Sequence, residues 1–414
     1  MKLNVQTMAW FLLGGCLAGI SPLQAQKQIG LKKGPNISLN ITNPHKDPKR
    51  TYLNIGLLSH FPQLNGVGIN VISSTVQGNA NGFQLSGITN ISGLNASGVI
   101  ISSIANVSGK NLNGVALSGL MNIGGKRVNG IQLSALGNVG GASLNGVSVS
   151  GLINLSGKNA AGFHLAGLAN INRNNYQGIA IGGLMNACGE DSKGVQVTSL
   201  LNVAGKSSKG VQLAGLGNVS VTNQGLQLAC ANYSEKNKGL QLGVANFSNE
   251  GKKGLQIGIV NISADSTAHQ WGVINLKPKT RTQLLISGGN ANKANLSVRF
   301  KNKYTYTQLG AGAYYLDTNK DFSFSGFYRA GLYISLTSRL TLNGDVGYYH
   351  IETLDNKHAG IPARMYAIEP RISLEYQALK RLGIFAAGGY NWTRTYQGNK
   401  FENKGVFEAG LVLF

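Results

Sequence analysis

The feature that most constrains the fold of this chain is a glycine that recurs at a fixed period through its middle. From Gly66, glycine returns every 16 residues at 82, 98, 114, 130, 146, 162, 178, 194 and 210, and then at the looser positions 225, 239, 254 and 272. A fixed short period predicts stacked structural repeats, each too small to fold alone. The array therefore has to be read as one unit repeated, and positions below count residues after the repeat glycine.

Each unit has a fixed pattern of apolar and small residues. Positions 1 and 3 are apolar, as in Val115 and Leu117. Two apolar residues separated by one residue are typical of a short strand, and we expect positions 1 and 3 to face inward. Position 2, which is His164 in one unit, is then expected to be outward and exposed. Position 5 is small and position 6 is apolar again, so we expect the chain to bend at position 5.

Position 8 is asparagine in unit after unit, at 90, 106, 122, 138, 154, 170, 186, 202 and 218, and later at 232, 246, 261 and 275. Stacked asparagine side chains can hydrogen-bond along the stack and so satisfy polar groups held at a buried turn. The sequence predicts an all-β fold: a β-solenoid of 16-residue repeats over 66–280, with residues 26–65 as its N-terminal cap.

The composition changes near Lys277: 6 aromatic residues fall between Gly66 and Asn275, and 21 between Leu276 and Phe414. Period-two alternation predicts eight strands, at 283–287, 295–301, 304–315, 322–336, 339–351, 367–377, 382–396 and 406–414. With short turns at one end, longer loops at the other and a terminal Phe414, region 281–414 is typical of an antiparallel, eight-stranded outer-membrane β-barrel. Pro370 weakens the sixth strand, and a soluble antiparallel domain with one wet face is the alternative.

Eight strands leave room in a barrel for side chains and none for a channel. Charged residues at inward-facing positions therefore predict an internal ion-pair network, and a porin is disfavoured. The residues expected in the network are Arg299, Arg329, Asp345, Arg371 and Glu375.

The first residues predict export. A basic start, an apolar run from Met8 to Ile20 and a polar end at Ala25 indicate a signal peptide over 1–25, too short in its apolar part to span a membrane. Leu13-Gly14-Gly15-Cys16 also resembles a lipoprotein box, which leaves lipidation of Cys16 open. If both ends of the barrel are periplasmic, the repeats hang in the periplasm, which conflicts with a simple surface adhesin.

Basic residues exceed acidic ones in both parts of the chain: 19 Lys and Arg against 6 Asp and Glu before Leu276, and 18 against 9 after it. Such a surface favours anionic partners, among them lipopolysaccharide, cell-wall polymer and lipid headgroups. The predicted export of the chain and the lack of aromatic residues within basic runs argue against nucleic acid as a partner. Six outer-loop residues are the candidates for binding an anionic polymer, with a merely solvated face as the alternative: Lys126, Arg127, Lys206, Lys209, Lys252 and Lys253.

Enzymatic signatures are weak. The acidic residues before Leu276 form no matched pair on neighbouring units, although paired carboxylates are what glycan hydrolysis requires. The histidines lack metal-ligand spacing, and the glycines contain no phosphate-binding loop. Cys188 and Cys230 are expected to be small buried residues without a disulfide framework. We therefore expect a non-enzymatic protein without cofactor or metal, with a structural envelope spacer or a glycan-processing enzyme as alternatives.

The unit Gly-Val-x-Leu-x-Gly-Leu-x-Asn, as in residues 210–218, resembles the surface-repeat-containing proteins of leptospires and Bacteroidetes. Residues 347–352 and 362–364 also resemble the C-terminal region of the Bacteroidetes members. The resemblance implies an exported protein associated with the cell envelope and assigns no activity to it.

Overall fold

A computed structural model of the chain describes residues 38–42, 50–317, 321–354, 362–396, 398 and 400–413. The predicted signal peptide over 1–25, including Cys16, and part of the cap predicted over 26–65 lie outside these residues. The chain divides into two compact units that meet between Leu255 and Gln256. Among the described residues no helix is long and apolar enough to cross a membrane.

The first unit is built from strands that alternate in length along the chain. They are β1 Ser38–Thr42, β2 Arg50–Phe61, β3 Gln63–Val76, β4 Ala80–Ser86, β5 Thr89–Ser92, β6 Asn95–Ser102, β7 Ala105–Ser108, β8 Asn111–Ser118, β9 Met121–Gly124, β10 Arg127–Ser134, β11 Gly137–Gly140, β12 Ser143–Ser150, β13 Ile153–Ser156, β14 Asn159–Ala166, β15 Ala169–Asn172, β16 Tyr176–Gly182, β17 Met185–Cys188, β18 Ser192–Thr198, β19 Leu201–Ala214, β20 Gly217–Asn223, β21 Leu226–Leu228, β22 Ala231–Asn237 and β23 Leu240–Glu250.

These strands form the predicted β-solenoid. Each 16-residue coil has a strand of seven or eight residues, a corner at positions 5 and 6, and a four-residue strand, and each strand pairs in parallel with its counterpart one coil later. In β10 and β12, for example, Arg127 pairs with Ser143 and Ser134 with Ser150. In the cap region β1 pairs antiparallel with β2, and β2 pairs in parallel with β3.

The predicted facing of the solenoid strands was wrong. Positions 1 and 3 point outward, and position 2 points into the coil together with positions 4, 8, 10 and 14. In the coil after Gly114, Ala116 and Asn122 are buried whereas Leu120 is exposed. The inward columns at positions 2, 4, 8 and 10 are filled mainly by small residues and amides, whereas position 14 carries buried apolar residues such as Leu112 and Leu144. An apolar residue at a regular position need not be buried, because apolar residues also cover much of a folded surface.

Two residue predictions fail for related reasons. His164 is at position 2 and is fully buried, not exposed. Cys230 is at the outer corner, in the column of position 6, and is exposed, whereas Cys188 is buried as expected.

The repeat glycine allows a conformation that other residues rarely adopt. At nine repeat glycines from Gly82 to Gly210, φ lies between 102° and 134°. A Cβ at Gly146 would also lie 2.2 Å from the carbonyl oxygen of Gly130 in the preceding coil. The left-handed φ and the close backbone approach both exclude a side chain.

The second unit begins with β24 Leu255–Ser263, which starts at the boundary, and β25 His269–Leu276. Its other strands are β26 Arg281–Gly289, β27 Ala294–Lys301, β28 Thr305–Asp317, β29 Asp321–Ser335, β30 Leu340–Thr353, β31 Arg364–Leu379, β32 Leu382–Thr395 and β33 Glu402–Leu413. The last eight strands form a closed antiparallel barrel, which β33 completes by pairing with β26. Pro370 is within β31, opposite Val346, and does not interrupt the strand.

The inside of the barrel holds charged side chains together with two small apolar clusters, and the outside is largely apolar. Ile334 and Ile372 are about two-thirds exposed on the outer surface, whereas the alternate residues of the strands are buried. This is the opposite of a soluble domain that buries its apolar face. Among the described residues, four cations and four anions are buried within the barrel: Arg299, Lys301, Arg329, Arg371, Asp345, Glu369, Glu375 and Glu408.

The buried charges form the predicted ion-pair network. The Arg329 guanidinium lies 2.5 Å from Asp345 Oδ1 and 2.8 Å from Glu369 Oε1. Arg371 also bridges Asp345 and Glu408. A second group pairs Arg299 with Glu375 at 2.7 Å. Glu369 and Glu408 were not among the predicted members.

Candidate binding surfaces

The charged residues of the solenoid are confined to one corner of the coil. Between Gly66 and Gly254 the sequence has twelve Lys or Arg and four Asp or Glu, and every one falls at positions 10–15. These positions include the turn opposite the apolar corner of position 6. We call this strip the basic corner, and its net charge of +8 follows from twelve minus four.

The six candidate residues all lie on the basic corner, in three groups. Lys126 and Arg127 are adjacent and exposed. Lys206 and Lys209 are also exposed but lie five coils further along, on the order of 24 Å away at the usual strand spacing. Lys252 and Lys253 occupy a later turn. The structure therefore places these side chains in a row and does not gather them into a pocket.

Other basic residues in the same row were missed by the sequence analysis. Lys110 and Lys158 share position 12 with Lys126 and Lys206, and their shared phase is the signal that would have identified them. Lys193 pairs in register with Lys209. Lys206 is partly neutralised, because its Nζ lies 3.0 Å from Glu190 Oε2.

The interior asparagines form the predicted ladder. The amide of Asn122 donates to Asn138 Oδ1 at 2.9 Å, and that of Asn138 donates to Asn154 Oδ1 at 3.1 Å. Each amide also donates to a backbone carbonyl of the next coil, as Asn138 does to Val149 at 3.0 Å. The ladder satisfies buried polar groups and leaves nothing of the asparagine side chains for a ligand.

The column at position 2 differs along the array. In later coils glutamines bond along the stack: Gln212 donates to Gln196 at 2.8 Å and Gln227 donates to Gln212 at 3.0 Å. Earlier, the amide of Gln132 is buried without a hydrogen-bond partner among the described residues, and the ring of His164 is fully buried beside the ring of Tyr176. Burial lowers the pKa of His164 to about 4, so the ring is neutral at neutral pH.

The two cysteines in the described part of the chain, Cys188 and Cys230, are free and differ in exposure to solvent. The Cys188 thiol is buried and donates to the Asn174 carbonyl, and burial raises its pKa to about 12. It is therefore an inert interior residue, in a column that carries serine in several other coils. Among the described residues no group of three His, Cys, Asp or Glu side chains could hold a metal ion.

A second basic region was not found from the sequence. A cavity of about 1100 Å³ lies at the short-turn end of the barrel, within the second unit. Six cations and one carboxylate, Glu375, line it, and Glu375 already pairs with Arg299. Burial lowers the pKa of Lys277, whose ammonium donates to the Ala268 carbonyl at 2.9 Å. The cations are Lys277, Lys279, Arg281, Lys301, Lys303 and Arg339.

Comparisons with known proteins assign no family. No family model matches the chain, and no curated protein matches it. Among solved structures, one described as a de novo design of transmembrane beta-barrels is similar, with 12% sequence identity and a TM-score of 0.22. The match covers 33% of this chain and 97% of the designed chain.

Proposed function

We propose that this chain is a non-enzymatic, outer-membrane-associated protein whose barrel anchors it and whose solenoid binds anionic polymers of the envelope or of a host. The basic corner is the observation that carries the proposal. Every charge of the array from Gly66 to Gly254 lies on that strip, and the sum is strongly positive. Repetition along coils would give many weak contacts with one polymer, so that avidity replaces a single tight site.

The barrel supports the anchoring role. It is closed, so it has no free strand edge, and a lipid environment tolerates only strands whose backbone groups are all paired. Its outer face is apolar, and its charges are paired inside. Together with the export signal predicted over 1–25, these features favour the outer membrane of a Gram-negative cell.

Reversing the charges of the basic corner tests polymer binding. The full chain carrying K126E, R127E, K206E and K209E should lose roughly tenfold or more in affinity for lipopolysaccharide or cell-wall polymer, since each substitution replaces attraction by repulsion. The matched control carries K126R, K206R and K209R, keeps the charge and should bind as the natural protein does. Solid-phase binding at two salt concentrations measures both, and the natural protein should be the more salt-sensitive.

The other outcomes identify the alternatives. Binding that is unchanged by charge reversal would reject the basic corner as the contact and leave a structural spacer. The asparagine ladder is the feature that favours a spacer, because it joins consecutive coils from Asn90 to Asn246. Release of a product from the polymer would indicate a glycan-processing enzyme.

A further inference from the structure

The solenoid presents a second continuous surface, opposite the basic corner. The side chains at positions 1, 3 and 6 point outward and are aliphatic in nearly every coil, and we call these three columns the apolar edge. Along position 6 the exposed fraction is 38–56% in nine consecutive coils. Those residues are Ile88, Ile104, Leu120, Leu136, Leu152, Leu168, Leu184, Leu200 and Leu216. A contiguous exposed apolar surface of this extent indicates an interaction site.

The backbone along the apolar edge has its hydrogen bonds satisfied within the stack. At the corner, the amide of Leu120 donates to the carbonyl of Ile104 at 2.9 Å, and the amide of Leu136 donates to the carbonyl of Leu120 at 2.9 Å. The series continues through Leu184 with distances between 2.7 and 3.2 Å. The edge can therefore enter an environment without water and leave no backbone donor there unpaired.

Charge is distributed as an interfacial element requires. Positions 0–9 carry no Lys, Arg, Asp or Glu in any coil between Gly66 and Gly254. Position 15 points outward on the same strand as position 1, two residues before the apolar columns begin. It carries Lys193 and Lys209 in two consecutive coils and asparagine in several others. Interfacial helices have the same arrangement, an apolar face bordered by polar and cationic residues.

We propose that the apolar edge lies in the acyl layer of a lipid surface that contains anionic headgroups, with the bordering lysines at the level of those headgroups. This inference concerns the apolar columns of the solenoid and does not depend on polymer binding by the basic corner, although Lys209 belongs to both surfaces. A second copy packed on the apolar edge would bring its own Lys193 and Lys209 toward the same border, whereas anionic headgroups would pair with these lysines, so lipid is favoured over a second copy.

Site-directed labelling on one coil tests the proposal. In a background without the native cysteines, L120C places a fluorophore on the apolar edge and K126C places it on the basic corner of the same coil. The full chain is reconstituted in vesicles of phosphatidylethanolamine and phosphatidylglycerol that carry a nitroxide on the acyl chain. We expect the label at residue 120 to be quenched roughly threefold more strongly than the label at residue 126, as for an element seated in the interface.

Three results would overturn the proposal. Equal quenching of both labels by the lipid nitroxide would show that the edge does not enter the acyl layer. If aqueous iodide quenched the label at residue 120 as strongly as it quenches the label at residue 126, the apolar edge would lie in water. Protection from both quenchers would show that protein covers the edge, as in a dimer.

A second variant separates lipid contact from misfolding and from polymer binding. L136D and L152D together put charge on the apolar edge, two coils and one coil from Leu168, and should expose a label at Leu168→Cys to iodide. Circular dichroism confirms that the fold is kept. The matching basic-corner variant is limited to K126E, R127E and K206E, which leaves the bordering Lys209 unchanged. Loss of lipid contact with polymer binding intact in the L136D and L152D variant, and the reverse in this basic-corner variant, keep the two proposals distinguishable.

Discussion

In the solenoid the enclosed polar groups are neutral amides, and in the barrel they are charges. Both units turn large apolar side chains outward. The solenoid asparagines bond to copies of themselves one coil away, as Asn122 does to Asn138 at 2.9 Å. In the barrel, Arg329 binds Asp345 and Glu369, residues that come from different strands and occur once. In the solenoid, many equivalent hydrogen bonds satisfy the buried polar groups. In the barrel, a few different ion pairs do so.

Substitution should reduce the free energy of unfolding most at the centre of the ionic network in the barrel. Arg329→Met leaves two carboxylates deep in the barrel short of a cation, and removing one partner of a buried pair costs about 3–5 kcal/mol. Urea unfolding of the chain in vesicles, followed by far-UV circular dichroism, measures the change in the free energy of unfolding. The matched control is Arg364→Met, whose exposed pair with Glu352 should be worth less than about 0.5 kcal/mol. Equal losses from the two variants would remove the special role of the buried network.

The solenoid should be most sensitive at the repeat glycines. Gly146→Ala forces a left-handed φ of 106° on alanine and pushes its Cβ against the Gly130 carbonyl, so we expect a loss of about 2–3 kcal/mol. Gly326→Ala in the barrel is the control, since no atom lies within 4 Å of its added Cβ. Thermal unfolding of the two variants measures the contrast. A Gly146→Ala variant as stable as Gly326→Ala would show that the coils adjust without strain.

Acid should weaken the solenoid through His164. Its pKa is about 4 in the folded chain and near 6.5 when unfolded, so the unfolded state binds the extra proton and stability falls as pH drops from 6.5 toward 4. At pH 5 the loss is about 2 kcal/mol relative to pH 7. His164→Gln, a residue found elsewhere in that column, removes this loss while the carboxylates titrate unchanged. Unfolding free energies at the two pH values test it, and equal pH dependence in both proteins would contradict a buried neutral imidazole.

The smallest effect concerns the glutamine column. Gln212→Leu breaks bonds to Gln196 and Gln227 and should cost about 1 kcal/mol. Gln132→Leu removes a buried amide that has no partner among the described side chains, and should be neutral or stabilising by about 1 kcal/mol. Chemical denaturation of both variants compares them directly. A loss at Gln132 as large as that at Gln212 would mean that the two halves of the column are equivalent.

The barrel was predictable because its alternation is strict and its interior is unusual. Each of the eight strands was located to within a few residues, and Arg299, Arg329, Asp345, Arg371 and Glu375 were assigned inward correctly. Charge on one face and aliphatic residues on the other identify the faces once a membrane is supposed. Glu408 was missed, because one carboxylate near the C-terminus gives no pairing signal by itself.

The solenoid was predictable in period and not in facing. The spacing of glycine and asparagine gives the coil and the ladder, since both require identical neighbours in the stack. Hydrophobicity does not show which face is inside when most inward columns hold amides and small residues and the outward columns are also apolar, and this is why the positions of His164 and Cys230 were predicted wrongly. The confinement of charge to positions 10–15 was visible in the sequence, and it indicates an amphipathic coil more directly than the apolar columns do.

The glycine column also bears on how such a chain changes over evolutionary time. Because each coil meets the next through the same positions, gain or loss of 16 residues by unequal recombination would rejoin every column without a mismatch. A single-residue insertion would instead displace one glycine from its left-handed site. After Gly210 the spacing is no longer 16 residues but 15, 14, 15 and then 18, and among the described glycines the left-handed φ ends there too. Array length is therefore a heritable variable that selection can adjust in whole coils, about 4.8 Å of added stack for each.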